Sequence, residues 1–313
     1  MKNFLSIDDV TDLQGLVEEA LAFKQAPLSQ NELGQGKTLG LIFLNPSLRT
    51  RLSTQKAAYQ LGMEVMVMNM NQDSWQLEFG DGTVMDGGTA EHVKEAAAVI
   101  SQYCDIIGIR TFAGLKDVQN DYQEQVLKKF VAYALVPVIS LESATLHPLQ
   151  SLADLVTIKE HQKSDRPKVV LSWAPHPRAL PQAVANSFLQ WAGKWDCELV
   201  LTHPPGYELA EEFTRGIRIE HNQDQALKAA DFVYTKNWSS YRHYGQVLTK
   251  DPSWMITEEK MALTNQGHFM HCLPLRRNVV ASDQVVDQSL VIPQAKNRLF
   301  AAQAVLAQIL SNG

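Results

Sequence analysis

The sequence predicts an α/β protein of two doubly wound parallel-sheet domains joined by helices. Three observations lead there. Short apolar runs alternate with longer amphipathic segments along the 313 residues, the order that builds strand–helix–strand units. The apolar runs are rich in Val, Ile, Leu and Met and lack a polar residue at every second place, as strands covered on both faces do. Polar and charged residues collect just beyond the ends of these runs, where open parallel sheets bind ligands.

In the first half, strands are expected at 39–44, 64–69, 105–111 and 137–141, with helices at 51–61, 91–103 and 122–133 between them. Gly62 follows the first helix, in place for a left-handed cap. The second half repeats the scheme, with strands at 168–173, 198–202, 218–220, 232–235 and 268–272 and a helix at 180–191. The run HPLQSLADLVTIKEH has a helical period and leads from one half to the other. Residues 161–168 are polar and suit a connector, and a last helix is expected at 294–310. The expected domains are 1–146 and 147–293, with 294–313 packing back on the first; domains of about 150 residues are ordinary.

Hydrophobic residues at 45% and charged residues at 20% suit a soluble globular chain. A net charge of −6 speaks against a nucleic-acid partner, which needs a basic face. Cys104, Cys197 and Cys272 lie far apart with no CxxC, the pattern of reduced thiols in an intracellular protein. The opening MKNFLSIDDVTDLQ turns acidic by residue 8, against a signal peptide. No apolar run reaches the roughly 18 residues of a membrane span. A cytoplasmic protein with no membrane partner is expected.

The stretch Ser47-Leu48-Arg49-Thr50-Arg51 stands where a buried strand turns into a helix. A helix amino end offers unbonded N–H groups and a partial positive charge. Hydroxyls and a forked guanidinium would complete a phosphate or carboxylate site; alternatively Ser47 is only a cap and the arginines face water. The absence of GxxxxGK[ST], and of GxGxxG after a strand, argues against the usual nucleotide sites. Arg110 ends a strand, either as an ion-pair partner or as a second hand on the same anion. Glu142, His176 and Lys236 lie at the same edges, with Arg276 and Arg277 past the last strand. His147 opens a helix, as a capping group or as a partner for a carbonyl oxygen. Cys272 reads as a small buried residue, since no activating base accompanies it. His268 and His271 near it lack further zinc-site spacing. No metal or organic cofactor is expected.

Taken in order, Ser47-Leu48-Arg49-Thr50-Arg51, His147-Pro148-Leu149-Gln150 and His271-Cys272-Leu273-Pro274 resemble the carbamoyltransferase (transcarbamylase) family, and the resemblance covers nearly the whole chain. It implies a first domain for carbamoyl phosphate, a second for an amino-acid acceptor, and a homotrimer with sites shared between subunits. By position, Ser47, Leu48, Arg49 and Thr50 would hold the phosphate. Arg110, His147 and Gln150 would hold or bridge to the carbamoyl end, and Cys272, Leu273 and Arg298 would complete its pocket. Arg110, His147, Cys272 and Arg298 are thus the candidate catalytic residues, and Trp75 would reach into a neighbouring subunit's site. The role of Arg51 stays open between ligand contact and loop support.

Ornithine-using members usually carry a Ser-Met-Gly loop, and the matching DFVYTKNWSSYRHYG has none. The stretches QDSWQLE, VMDGGTAEH, WAPHPR and TKNW resemble the branch that acts on N-acylated ornithine in arginine biosynthesis. There Glu142, His176 and Lys236 would bind the acceptor, with Leu273 beside it. Acetyl-using enzymes carry a glutamate where Ala90 falls and a lysine where Val280 falls. Ala90 removes a like charge from the longer, carboxylate-ended succinyl group, and Lys236 and Arg276 would attract it. The resemblance therefore implies N-succinyl-L-ornithine, with N-acetyl-L-ornithine as the alternative acceptor. Two other readings are a catalytically silent anion-binding homologue and another α/β enzyme of a phosphorylated metabolite.

Overall fold

Leu39, Leu41, Ile42 and Phe43 are buried in strand β1 (Thr38–Phe43) of the computed structural model, which describes residues 1–70, 72 and 74–311. Asp73, within QDSWQLE, and Asn312 and Gly313, at the end of the segment 294–313, lie outside the described residues. β1 pairs in parallel with β2 (Glu64–Asn69) on one side and β3 (Ile106–Arg110) on the other. β4 (Val138–Glu142) completes a parallel sheet in the order β2-β1-β3-β4. Ile42, Ile107, Ile109 and Val138 pack with Phe130 into its core; each buried side chain of this size contributes about 1.5–3 kcal/mol.

Around this sheet run α1 (Leu13–Gln25), α2 (Leu48–Gln60), α3 (Val93–Ile100) and α4 (Gln125–Tyr133). Gly62, just past α2, has φ +81°, and a Cβ there would meet the Asn31 carbonyl oxygen at 2.2 Å, so only glycine fits. The helix expected at 122–133 is broken at Glu124, whose φ is +53°. Its carboxylate accepts from Ser143 Oγ at 2.6 Å and Thr145 N at 2.7 Å. Residues 91–92 join a short parallel pair with Leu77–Glu78, so α3 starts later than its apolar period suggests. No helix was expected where α1 lies, although Asp12 caps it and Leu16, Val17, Ala20 and Phe23 form its buried stripe.

The second sheet has the order β9-β8-β5-β6-β7, again parallel throughout. Its strands are β5 (Lys168–Ala174), β6 (Glu198–Thr202), β7 (Arg218–Glu220), β8 (Phe232–Asn237) and β9 (His268–Met270). Trp173 in β5 is fully buried and donates from Nε1 to the Tyr207 carbonyl at 2.8 Å; it belongs to the core. β9 stops at Met270, short of the expected 272, and three residues on Leu273 takes φ +55°, which no strand residue can. The longer helices of the remaining chain are α5 (Pro148–His161), α6 (Ala183–Gly193) and α7 (Val291–Ser311).

The chain divides into two compact units, one of Met1–Gly114, Gln119–Leu149 and Arg298–Gly313, the other of Leu115–Val118 and Gln150–Asn297. Both α5 and α7 pass from one unit to the other along their own length. Among the described residues no helix is long and apolar enough to cross a membrane.

Burial holds the imidazoles of His176, His203 and His268 below their ordinary value, with burial the first cause in each. A histidine harder to protonate folded than unfolded contributes stability above the unfolded value of about 6.5, and that stability is lost as the pH falls through the folded value. Calorimetry at pH 7.5 and 5.5 is therefore expected to show a lower Tm at 5.5. His203, fully buried with its ring 4.9 Å from that of His221, carries part of this. His203→Gln is expected to flatten the dependence.

Candidate functional site

In the first unit the strand order turns back between β1 and β3, the switch point beyond which such sheets bind ligands. Past β1 the chain runs through Asn45 and Pro46 to Ser47, the cap residue of α2. Ser47 is extended and its side chain makes no capping hydrogen bond. The Ser47 side chain therefore does not cap the first N–H groups of α2, and an uncapped helix amino end is suited to an anion. Arg49, in the first turn, has its Nε buried with no hydrogen-bond partner; leaving such a donor unmet is costly unless a ligand meets it. Arg51 lines a hollow of about 280 Å³ together with Ser47, Leu48 and Asn69.

Arg110 ends β3 opposite Glu142 at the end of β4. It donates from Nε and Nη2 to Glu142 Oε2 at 3.1 and 2.9 Å, and from Nη1 to the carbonyls of Asn45 and Pro46 at 3.0 and 3.1 Å. Its guanidinium carbon lies 4.8 Å from the centre of the Phe112 ring. Arg110 thus makes an ion pair and also ties down the loop that leads into α2. His147 Nε2 stands 3.7 Å from the same Glu142 oxygen. Arg298, on α7, reaches His147 Nε2 from Nη1 at 3.4 Å and donates from Nη2 to Thr50 Oγ1 at 2.6 Å. Thr50, Arg298, His147, Glu142 and Arg110 form one buried polar chain along this sheet edge. Trp75 is exposed and donates from Nε1 to Glu91 Oε2 at 2.8 Å. Ala90 is exposed too, its N–H bonded to the Gln76 carbonyl at 3.1 Å.

In the second unit the switch lies between β5 and β8. His176 follows β5, and Lys236 is the penultimate residue of β8. Arg276 donates from Nε to His176 Nε2 at 3.1 Å, while His176 Nδ1 lies 2.7 Å from the Arg178 carbonyl. That pattern describes a neutral ring with its hydrogen on Nδ1. Besides burial, the positive charges of Arg276, Lys236 and Arg178 hold it neutral, against the pull of the Arg178 carbonyl. Lys236 is 8% exposed and has no acidic partner among the described residues. Arg277 differs: it pairs with Asp283 and Asp287 at 3.2 and 2.7 Å. Lys236 and Arg276 thus gather positive charge beside a neutral His176, with no ion pair to neutralise them among the described residues.

Gln150, at the start of α5, is fully buried and donates from Nε2 to Asp154 Oδ1 at 2.7 Å. Cys272 is buried, and Leu273 N donates to His271 Nδ1 at 3.0 Å. Sequence reasoning did not single out Asp154, Gln294 or Tyr234, which cluster behind Gln150 and Cys272. The one available signal was the four-residue spacing of Gln150 and Asp154, which puts both on one helix face. Among the described residues no three of His, Cys, Asp and Glu come together as a metal site.

Residues 2–160 match the family model of the aspartate/ornithine carbamoyltransferase carbamoyl-P binding domain, and residues 181–309 that of its Asp/Orn binding domain. The chain is similar to an N-succinylornithine carbamoyltransferase of Bacteroides thetaiotaomicron, 51% identical over 99% of each chain. It is also similar to an N-acetylornithine carbamoyltransferase of Xanthomonas axonopodis pv. citri, 39% identical over 99% of this chain and 97% of the other. Among solved structures it is similar, with TM-score 0.92 and 39% identity over 99% and 100% of the two chains, to an N-acetyl-L-ornithine transcarbamylase. That protein is a glutamate-to-alanine mutant complexed with carbamyl phosphate and N-succinyl-L-norvaline.

Proposed function

The chain belongs to the aspartate/ornithine carbamoyltransferase family, and on that premise we propose that it carbamoylates N-succinyl-L-ornithine. The products are N-succinyl-L-citrulline and phosphate, a step of arginine biosynthesis. The observation that carries the choice of acceptor is the positive pair Lys236 and Arg276, gathered around a neutral His176 with no acidic partner among the described residues. An acceptor with two carboxylates, one on the amino acid and one on the succinyl group, is matched to it. Ala90 stands where acetyl-using enzymes carry glutamate. The glutamate-to-alanine relative that holds N-succinyl-L-norvaline supports reading that difference as a switch of acyl group. Val280, where those enzymes carry lysine, is fully buried in an apolar cluster with Ile256 and Val285.

The donor's phosphate rests on Ser47, Arg49, Thr50 and the amino end of α2. Arg110, His147 and Arg298 stabilise charge growing on the carbamoyl oxygen, as an oxyanion hole does. Gln150, Cys272 and Leu273 hold the rest of the carbamoyl group, and Glu142 serves the acceptor. The δ-amine, with an ordinary pKa near that of lysine, about 10, enters an environment of cations and low solvation that favours its neutral form. Its lone pair attacks the carbamoyl carbon, the bond from that carbon to the phosphate oxygen breaks, and the departing phosphate takes the amine proton. The working form is a homotrimer in which Trp75 serves a neighbouring site, which sedimentation of the purified chain tests.

Purified protein given carbamoyl phosphate and each acylated ornithine at equal concentration is expected to release phosphate faster with the succinyl compound. Faster turnover of the acetyl compound reverses the assignment. Ala90→Glu is expected to lower kcat/KM for the succinyl acceptor by about tenfold or more. An exposed like-charge contact of about 1 kcal/mol gives roughly fivefold, and loss of space adds to it. Unchanged kinetics would place residue 90 away from the acyl group.

A further inference from the structure

Asp154 is fully buried one turn beyond Gln150 on α5. Its Oδ1 accepts from two side-chain amides at once, Gln150 Nε2 and Gln294 Nε2, each at 2.7 Å. Gln294, on α7, uses its own carbonyl oxygen to accept the His271 N–H at 2.9 Å. His271 Nδ1 then accepts from Leu273 N at 3.0 Å. One carboxylate therefore stands behind both Gln150 and the turn that carries Cys272 and Leu273.

An amide side chain has two ends of nearly the same shape and opposite chemistry, a carbonyl that accepts and an NH₂ that donates. Packing alone does not choose between them. An ionised carboxylate only accepts, so each amide that meets Asp154 must turn its NH₂ toward it. Gln150 then turns its carbonyl oxygen away from Asp154, and Gln294 presents its carbonyl to His271. The carbamoyl group poses the complementary problem. Its oxygen needs donors, the role proposed above for Arg110, His147 and Arg298, and its NH₂ needs an acceptor.

We infer that Asp154 is a positioning residue for carbamoyl transfer: it sets the direction of the Gln150 amide, so that the carbonyl oxygen faces the donor's NH₂, and through Gln294 it sets the His271–Leu273 turn. This rests on the reading of the chain as a carbamoyltransferase that uses Gln150 at the donor's carbamoyl end. Tyr234 on β8 closes the same cluster; burial first, then Asp154 and Cys272, push its phenol well above its ordinary value, so it stays a neutral neighbour.

The test compares wild type, Asp154→Asn, Gln150→Ala and the double variant in steady-state kinetics and melting. Asparagine keeps the shape of Asp154 but can offer either end to Gln150, so the rule that orients the amide is lost. The expected result is a loss of at least tenfold in kcat/KM for carbamoyl phosphate, with the acceptor KM within twofold of wild type. Asp154→Asn should cost much less in the Gln150→Ala background. An equal loss in both backgrounds, or an unchanged donor kcat/KM, overturns the inference. A wild-type protein that does not turn over carbamoyl phosphate overturns the underlying reading instead.

If Asp154→Asn does not fold, Gln150→Glu carries the test through its pH profile. The new carboxyl can face Asp154 only when it is protonated, because two like charges cannot share the site. The ratio of variant to wild-type kcat/KM is then expected to rise as the pH falls from about 8.5 to 6.5. A flat ratio overturns the inference, since a purely structural role gives no such proton dependence.

Discussion

Arg298→Ala is expected to lower kcat by about 10²- to 10³-fold with both substrates saturating, the usual cost of removing one donor from an oxyanion site. Arg298 is buried and bridges two site residues through separate nitrogens, His147 Nε2 by Nη1 and Thr50 Oγ1 by Nη2. Truncation therefore removes a charge and also the restraint that relates the histidine to the first turn of α2. Lysine at this position restores the charge but not the planar fork, so Arg298→Lys is expected to recover less than a tenth of the lost rate. Stability should fall by about 1–3 kcal/mol through the groups left unmet. Steady-state kinetics with a melting curve check both parts, and a kcat within threefold of wild type would remove Arg298 from the reacting centre.

Lys236→Met is expected to cut kcat/KM for the succinylated acceptor by about 10- to 10²-fold, the loss of one charge-assisted hydrogen bond of about 1.5–3 kcal/mol. The donor KM should hardly move. Stability should change in the opposite direction. A lysine buried to 8% exposure with no acidic partner among the described residues is a desolvated charge kept at a cost, and a methionine of similar volume avoids it. The variant should thus bind its acceptor worse and melt higher. Loss of affinity together with a lower Tm would mean that the lysine serves the fold rather than the ligand.

The strands were legible because their signal is local. Residues 64–69, 198–202 and 218–220 show the expected bounds in the structure, and burial on both faces produced the unbroken apolar runs of β1, β3, β4, β5 and β8. The helix break at Glu124 was not legible, because its carboxylate meets four donors from residues 143 to 145 that no local window contains. α1 had its cap and stripe in plain view. Candidate site residues could be picked out one by one at strand ends, but their couplings could not. Arg110 meets Glu142 through sheet register, and Arg298 meets His147 across 151 residues of chain. Asp154 carried only its four-residue spacing from Gln150 as a signal, since an acid inside a helical run reads as a surface residue until its burial is known.

The first unit is discontinuous in sequence: residues 1–149, but for a four-residue excursion, need 298–311 to complete it. On a ribosome adding about 5–20 residues per second, roughly 8–30 s pass between the emergence of His147 and that of Arg298. For that interval the nascent chain lacks the guanidinium that links Thr50 to His147. All of the second unit except Leu115–Val118 is synthesised in the meantime, so the growing polypeptide can fold most of its mass before its first unit is finished.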